Sequence, residues 1–348
     1  MRTKARQPSM CLSQREDVAV ARQRMRTWWE GGDIGRPAVV MSAPSESPLD
    51  EYPPGHTANR AWMAEGIPHV SARQKGHLSS YLGGSRPRER DGTVWQEPLV
   101  QQLAEARLEY DPDNSYWKST CEAVRRQVAE AGGDYMIVIP SLFEALDTLA
   151  QMRGDENLLF DMFDRPDVVH RALRRLTDLY FRYYDVLYDL VRDDIGGSHS
   201  HWTYAPGRTA WLQCDFSCMI SPLAFGEFMV PVLREMSERI SYCVYHLDGP
   251  GALHHHDALL SIPGIQVIQW EPGMFTGIEP VFDERWWPLY HKTIEAGKAV
   301  SLHIYGWEHD QLKPMRREFG ARFHRFLWSI WETQSVEQGW KVLECISD

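Results

Sequence analysis

His246 and Asp248 close the run Tyr242-Cys243-Val244-Tyr245-His246-Leu247-Asp248-Gly249-Pro250-Gly251, an apolar stretch that ends in a polar pair and a glycine-proline turn. Side chains alternate faces along a strand, so residues two apart project the same way. An imidazole and a carboxylate at the end of a strand make half of a metal site or an acid/base pair. The plainer reading is an aspartate that caps the next helix beside a packed core histidine.

Two further segments place histidines by the same alternation. On Gly196 to Tyr204, His199, His201 and Thr203 share a face, and on Ala299 to Tyr305 so do Ser301, His303 and Tyr305. With His246 and Asp248, the residues His199, His201 and His303 form a possible metal set. Neutral imidazoles and a carboxylate suit zinc first, and also iron, copper or manganese. Alternatively, His199 and His201 bond a substrate and His303 is packed. Asp215 and Glu271 stand at strand or loop ends as candidate catalytic acids or bases, or as holders of an arginine such as Arg208. Trp202, Trp211, Trp270 and Trp307 offer flat pocket walls or core. Of the aromatics, Trp202, Tyr204, Trp270 and Tyr305 are the candidates for binding substrate. The triplet His254-His255-His256 reads as mostly solvated rather than as a ligand set, because consecutive helical positions do not share a face.

The elements that must carry these groups alternate. Apolar runs at Pro37 to Ala43, Tyr135 to Ile139, Gly196 to Tyr204, Ser241 to Leu247, Ile265 to Trp270, Ala299 to Tyr305 and Phe326 to Ile330 read as strands, with Thr93 to Val100 a further extended piece. Between them lie helical patterns. Asp164 is an N-cap candidate before Pro166, and Leu176, Tyr180, Tyr184 and Leu187 form one apolar face of a helix reaching about Val191. Ser221-Pro222 opens a helix toward Arg239 that Pro231 should kink, and Gly251 to Leu260 is a short one. The alternation predicts an α/β fold: a single (β/α)8 TIM-type barrel with an N-terminal helical and extended excursion, occupying residues 16–348 after a flexible 1–15. Such barrels place chemistry at the carboxyl ends of their strands, where the histidines fall.

The 348 residues are 43% hydrophobic and 24% charged, an ordinary globular balance. A net charge of -11 opposes binding to nucleic acid or to an anionic membrane surface and leaves small molecules or proteins as partners. No apolar run is long enough to span a bilayer, and the basic start Met1 to Pro8 has no hydrophobic segment, which predicts a cytoplasmic protein. Six cysteines without a Cys-x-x-Cys spacing read as free thiols. Cys214 and Cys218 flank Asp215 and read as small apolar filler or as thiols near a site.

Several stretches together resemble the uroporphyrinogen decarboxylase-like superfamily: Thr93-Val94-Trp95-Gln96-Glu97-Pro98, Leu146 to Ala150 with Arg153-Gly154, Gln213 to Ser217 with Met219 to Pro222, Tyr245 to Leu253, Asp257 to Gly264, and Ile268-Gln269-Trp270. The likeness runs collinearly from about Ala21 to the C-terminus. It implies a (β/α)8 barrel and either porphyrinogen decarboxylation or zinc-dependent methyl transfer between corrinoid proteins and thiols. The decarboxylase branch holds its acidic tetrapyrrole with an arginine-rich N-terminal segment. Here Arg36 to Glu46 lacks that cluster, so the methyltransferase-like branch is the nearer one. That branch carries His-x-Cys plus a distant cysteine: His246 matches the histidine, Asp248 replaces the first cysteine, and Trp328 to Thr333 holds none. A His/Asp site is harder than a thiolate one and more open to redox metals. The resemblance therefore implies a metal-dependent enzyme acting on a small organic substrate, by methyl transfer or demethylation with a corrinoid protein as partner. The alternatives are a metal-assisted oxidation or lyase reaction at the histidine-rich site, and a non-catalytic barrel that binds a small ligand.

Overall fold

The computed structural model describes residues 17–46, 56–90, 93–273 and 280–347; the expected flexible segment 1–15 lies outside them. A seven-stranded, mostly parallel sheet forms the centre of an α/β fold. Its strands are β1 (Ala38–Pro44), β2 (Arg60–Ala64), β9 (Thr209–Leu212), β10 (Tyr242–Asp248), β11 (Ile265–Glu271), β12 (Ala299–Tyr305) and β13 (Phe326–Trp331), in the order β2-β1-β13-β12-β11-β10-β9. Only the β1–β2 pair is antiparallel. Short strands complete the set: β3 (His69–Val70) beside β6 (Met136–Ile137), β4 (Ser85–Arg90) beside β5 (Thr93–Pro98), and β7 (Ser198–Ser200) beside β8 (Thr203–Ala205). Beyond β3 and β6, Val138 N–H donates to Val70 O at 2.9 Å and Ile139 N–H to His199 O at 2.9 Å, which ties β3, β6 and β7 together.

The strands have two apolar faces, as expected where both sides are covered. Cys243, Tyr245, Leu247, Ile268, Trp270, Val300, Leu302, Ile304, Phe326 and Trp328 pack against helices in the larger core. The alternate residues Val40, Val244, Val267, Ala299 and Leu327 turn the other way into a second cluster with Trp211 and with the helix Val18–Trp29. That helix closes one end of the inner face: Trp29 Nε1 donates to Tyr204 O at 3.0 Å and Trp28 Nε1 to His324 O at 3.2 Å.

The amphipathic helix Pro166–Val191 lies where the pattern predicts, with Leu176, Tyr180, Tyr184 and Leu187 buried. Its N-cap is Arg165 rather than Asp164, and no side chain caps it. Pro166 at the first turn lacks an N–H that would need capping, which reduces the demand. The Pro231 irregularity takes the form of a wide π turn, Phe225–Met229, just before the helix Val230–Arg239. Loosening the turn accommodates a residue that cannot donate to the helical ladder.

The run Gly196 to Tyr204 is not one strand. The chain reverses at His201 and Trp202, and β7 and β8 pair as a hairpin with His199 opposite Tyr204 and Ser200 opposite Thr203. His201 adopts φ 50°, a left-handed conformation rare for a residue with a Cβ. The shared face expected for His199, His201 and Thr203 is therefore lost.

Candidate functional site

On the inner face, residue type changes along each strand. β10 runs Val244, His246, Asp248; β11 runs Val267, Gln269, Glu271; β12 runs Ala299, Ser301, His303, Tyr305; β13 runs Leu327, Ser329, Trp331. All four begin apolar and end polar or aromatic. Register places His246 beside Gln269, Gln269 beside Ser301, His303 beside Ser329, and Tyr305 beside Trp331.

His246 is held by a neighbour. Gln269 Nε2 donates to Trp270 O at 3.1 Å, which turns Gln269 Oε1 toward the His246 ring nitrogen Nδ1. Because that oxygen only accepts, Nδ1 carries a proton, and Nε2 is the nitrogen that Gln269 does not engage. His303 is 6% exposed, and neither of its ring nitrogens has a hydrogen-bond partner. Burial, then His246 and His201, depress its pKa to about 3. Burial and His246 bring His201 down to about 4. His201 and His303 are thus neutral at physiological pH, and both sense His246. Trp202 lies edge-on to His303 with centroids 4.2 Å apart, Trp331 contacts it at 4.7 Å, and Trp211 lies 5.0 Å from His201.

His199 belongs elsewhere. It is 1% exposed and stacks on His69 at 4.3 Å; burial, His69 and Arg22 push its pKa well below the usual value. The hairpin reversal separates it from His201. His69 donates from Nδ1 to Ile67 O at 2.8 Å and is depressed to about 4 by burial, so its Nε2 is also an available lone pair. Sequence reading missed His69, whose short strand β3 has no alternating pattern to mark it.

Two cavities flank this region. One, of about 380 Å³, is lined among others by Ser42, Arg60, Trp62, His69, Trp202 and Trp331. The other, of about 510 Å³, is bordered by Trp95, Phe143, Asp147, Asp215 and Phe216. Asp147 accepts the N–H groups of Asp215 at 2.9 Å and Phe216 at 3.0 Å. Burial and the Asp215 charge nevertheless lift it to about 7. Asp215, open to solvent on one side, is raised by the protein packed around the rest of it, drawn back by His246 and pushed up again by Asp248. Glu144 is fully enclosed, accepts the Gln213 N–H at 3.0 Å, and is raised well above the usual range by burial. Asp215 thus joins the acids of the larger cavity to His246. Asp147 and Glu144 were not legible as site residues, since they lie at the start of the apolar helix Ala145–Arg153.

The remaining expectations divide. Trp202 lines the smaller cavity. Tyr305 is half-buried at the end of β12 and stacks on Trp307 at 4.5 Å. Tyr204 does not face a cavity: it is 1% exposed and its hydroxyl donates to Asp193 Oδ2 at 2.9 Å. Trp270 is on the helix-facing side, packed on Trp286 at 4.9 Å, because it directly follows the inward Gln269. Glu271 is inward at the end of β11 and accepts the Gly273 N–H at 3.3 Å. Arg208 pairs with Asp185, not with either candidate acid. Of the triplet only His254 is exposed; His255 and His256 are buried. His255 stacks on Phe225 and bonds Ser217 O at 2.9 Å, His256 bonds Thr293 Oγ1 at 2.9 Å, and His254 bonds Ile220 O at 3.1 Å. The His254 and His255 rings meet edge-on at 4.0 Å, while His256 turns away to Thr293. Cys214 is buried, whereas Cys218 is exposed and so is not filler.

Among the described residues, one group of His, Cys, Asp or Glu has three ligand atoms within 4.8 Å of one another: His309, Asp310 and Cys345. Lys313 already reaches Asp310 there at 3.1 Å. The atoms of His199, His201, His246, Asp248 and His303 are not gathered to that extent. Comparison with known protein families and with curated proteins finds no match to the chain. Among the described residues no helix is long and apolar enough to cross a membrane.

Proposed function

We propose that the chain is a (β/α)8-type barrel enzyme of the uroporphyrinogen decarboxylase-like superfamily, nearer its methyltransferase-like branch, acting on a small organic substrate at the carboxyl ends of its strands. The observation that carries this reading is His303: a buried imidazole with two unpartnered nitrogens, beside His201 and His246, at the polar end of an otherwise apolar inner face. Buried polar groups in folded proteins are almost always satisfied, so a ligand, water or metal is the natural partner for this ring.

The donor chemistry fits a divalent metal. His201 and His303 are held neutral by burial, as ligands must be, and Gln269 engages His246 Nδ1, which leaves Nε2 as the ring nitrogen that would face a metal. Asp215 or Asp248 would supply the carboxylate; His199 lies outside the set. A bound metal would orient substrate and act as a Lewis acid. Around it, Trp202 and Trp331 exclude water from His303, and Asp147 and Asp215 hold or release protons. Methyl transfer or demethylation is the reaction that the resemblance suggests, with a corrinoid protein as donor or acceptor.

Elemental analysis of the purified protein beside His246→Ala and His303→Ala tests the metal reading. Near-stoichiometric metal lost in both variants is expected. No metal retained even after reconstitution would overturn it. Methyl exchange with methylcobalamin across a panel of thiols tests the reaction.

A second reading rests on Asp147, whose pKa of about 7 at the edge of a cavity suits proton transfer at neutral pH without a metal. A rate profile that loses its inflection near that pH in Asp147→Asn would favour it.

A further inference from the structure

Arg60, on β2, is half-buried at the smaller cavity, and burial lowers its pKa from the usual guanidinium value. Its Nε donates to Ser42 Oγ at 2.7 Å and one Nη2 proton to Ser42 O at 2.7 Å. A guanidinium has five N–H donors, so most of its capacity remains. Among the described residues no carboxylate pairs with it. Two more deeply enclosed arginines are matched, Arg36 gripping both oxygens of Glu65 at 2.7 and 2.8 Å and Arg153 reaching Asp161 at 2.8 Å, whereas half-buried Arg325 meets only the Gly297 carbonyl at 3.1 Å and lines neither cavity. Leaving a partly desolvated charge without a counter-ion is costly unless something else supplies one.

The rest of the cavity describes the body attached to that counter-ion. Trp62, Trp202 and Trp331 give flat apolar walls, with Trp202 and Trp331 5.2 Å apart and tilted by 49°. His69 adds an imidazole depressed to about 4, which is uncharged at neutral pH. The cavity therefore offers one positive charge, and the exposed Glu332 at its rim is negative. One guanidinium among aromatics matches a single carboxylate on a planar body. It does not match the many carboxylates of a tetrapyrrole, and a dianionic phosphate would meet too little positive charge.

We propose that Arg60 anchors the carboxylate of a flat, aromatic monocarboxylic acid whose ring lies against Trp202 and Trp331. Both tryptophans also pack on His303, so a ligand held this way has its far end beside the imidazole cluster. This deepens the enzyme reading above by naming its substrate class, and it rests on that reading for catalysis but not for binding.

Calorimetric titration of the full chain with 2-naphthoate, 2-naphthamide and phenyl phosphate tests it. The expected result is saturable naphthoate binding, with the isosteric neutral amide and the phosphate each weaker by about tenfold or more, the scale of a charge-assisted bidentate contact. Arg60→Gln should bring naphthoate down to the amide's affinity and leave the amide unchanged. Arg60→Lys, which keeps charge but not the planar fork, should fall between. Equal binding of acid and amide, tighter binding of the phosphate, no binding of naphthoate at millimolar concentration, or unchanged naphthoate binding in Arg60→Gln would each overturn the proposal. The acid/amide comparison needs no variant, so it stands even if Arg60→Gln misfolds. Naphthoate binding that survives in His303→Ala, with no demethylation of a methoxy-2-naphthoate by the wild-type chain supplied with a corrinoid acceptor, would uphold the anchor while sinking the enzyme reading.

Discussion

Along the inner face of β10 to β13, the first residues and the last ones share strands, parity and neighbours yet differ in kind. Val244, Val267, Ala299 and Leu327 are buried among apolar partners and the helix Val18–Trp29. A few residues on, Ser301, His303, Ser329 and Trp331 carry polar atoms that meet no protein partner. The first set satisfies every packing rule, and the second breaks the rule that buried polar groups be paired. The same strands therefore divide labour along their length: one end stabilises, and the other keeps groups unsatisfied for something else to meet.

Substitutions at the two ends should therefore separate stability from activity. The largest effect expected is on turnover. His303→Ala should cost about 100-fold in activity, the upper end of the scale seen for disturbed metal sites, while its urea midpoint stays near the wild-type value because no protein hydrogen bond is lost. A large fall in stability with normal activity would reverse the roles assigned here. At the other end, Leu327→Ala should destabilise by about 3 kcal/mol, as for truncation of a fully buried leucine, read from denaturant unfolding, with specific activity of the folded fraction kept.

Asp147 sharpens the comparison through pH. Its folded pKa of about 7 is above the ordinary carboxyl value of 3.8, so the native state holds a proton that the unfolded chain has released. Its contribution to stability is full below about 4 and lost as pH rises through 7. Asp147→Asn should flatten that fall, measured as the difference in unfolding midpoint between the two pH values. A parallel decline in both proteins would mean that Asp147 does not hold the proton.

The smallest effect concerns His69, whose folded pKa of about 4 lies below the usual 6.5. Its contribution is present above 6.5 and lost as pH falls toward 4. His69→Gln should relieve roughly 1 kcal/mol of acid destabilisation between neutrality and about pH 5, after allowance for its partial exposure.

Sequence legibility follows the same divide. β10, β11, β12 and β13 were readable because each is a continuous apolar run, and β12 matches Ala299 to Tyr305 in full. Parity then placed His246, Asp248, Ser301 and His303 on one face. It failed for His199 and His201, because the turn at His201 and Trp202 uses neither glycine, proline nor asparagine and carries its positive φ on a histidine. Applied to Trp270, it would have ruled out a substrate-binding role, since Trp270 adjoins the inward Gln269 and faces the helices. Arg60, His69 and Asp147 left no trace, since their roles come from chain segments that meet only in three dimensions.

The helix Val18–Trp29 has a consequence for how the chain is made. Trp28 waits for a carbonyl 296 residues further on, and Trp29 for one 175 residues away. During synthesis this helix leaves the ribosome early and must remain undocked, with Met25, Trp28 and Trp29 without their native cover, until nearly all of the sheet has been translated. Such long-range closure is slow because loop entropy is spent before any contact rewards it. The segment that finally seals the inner face is thus, for most of the chain's biogenesis, its most exposed adhesive surface, and a natural landing place for a chaperone.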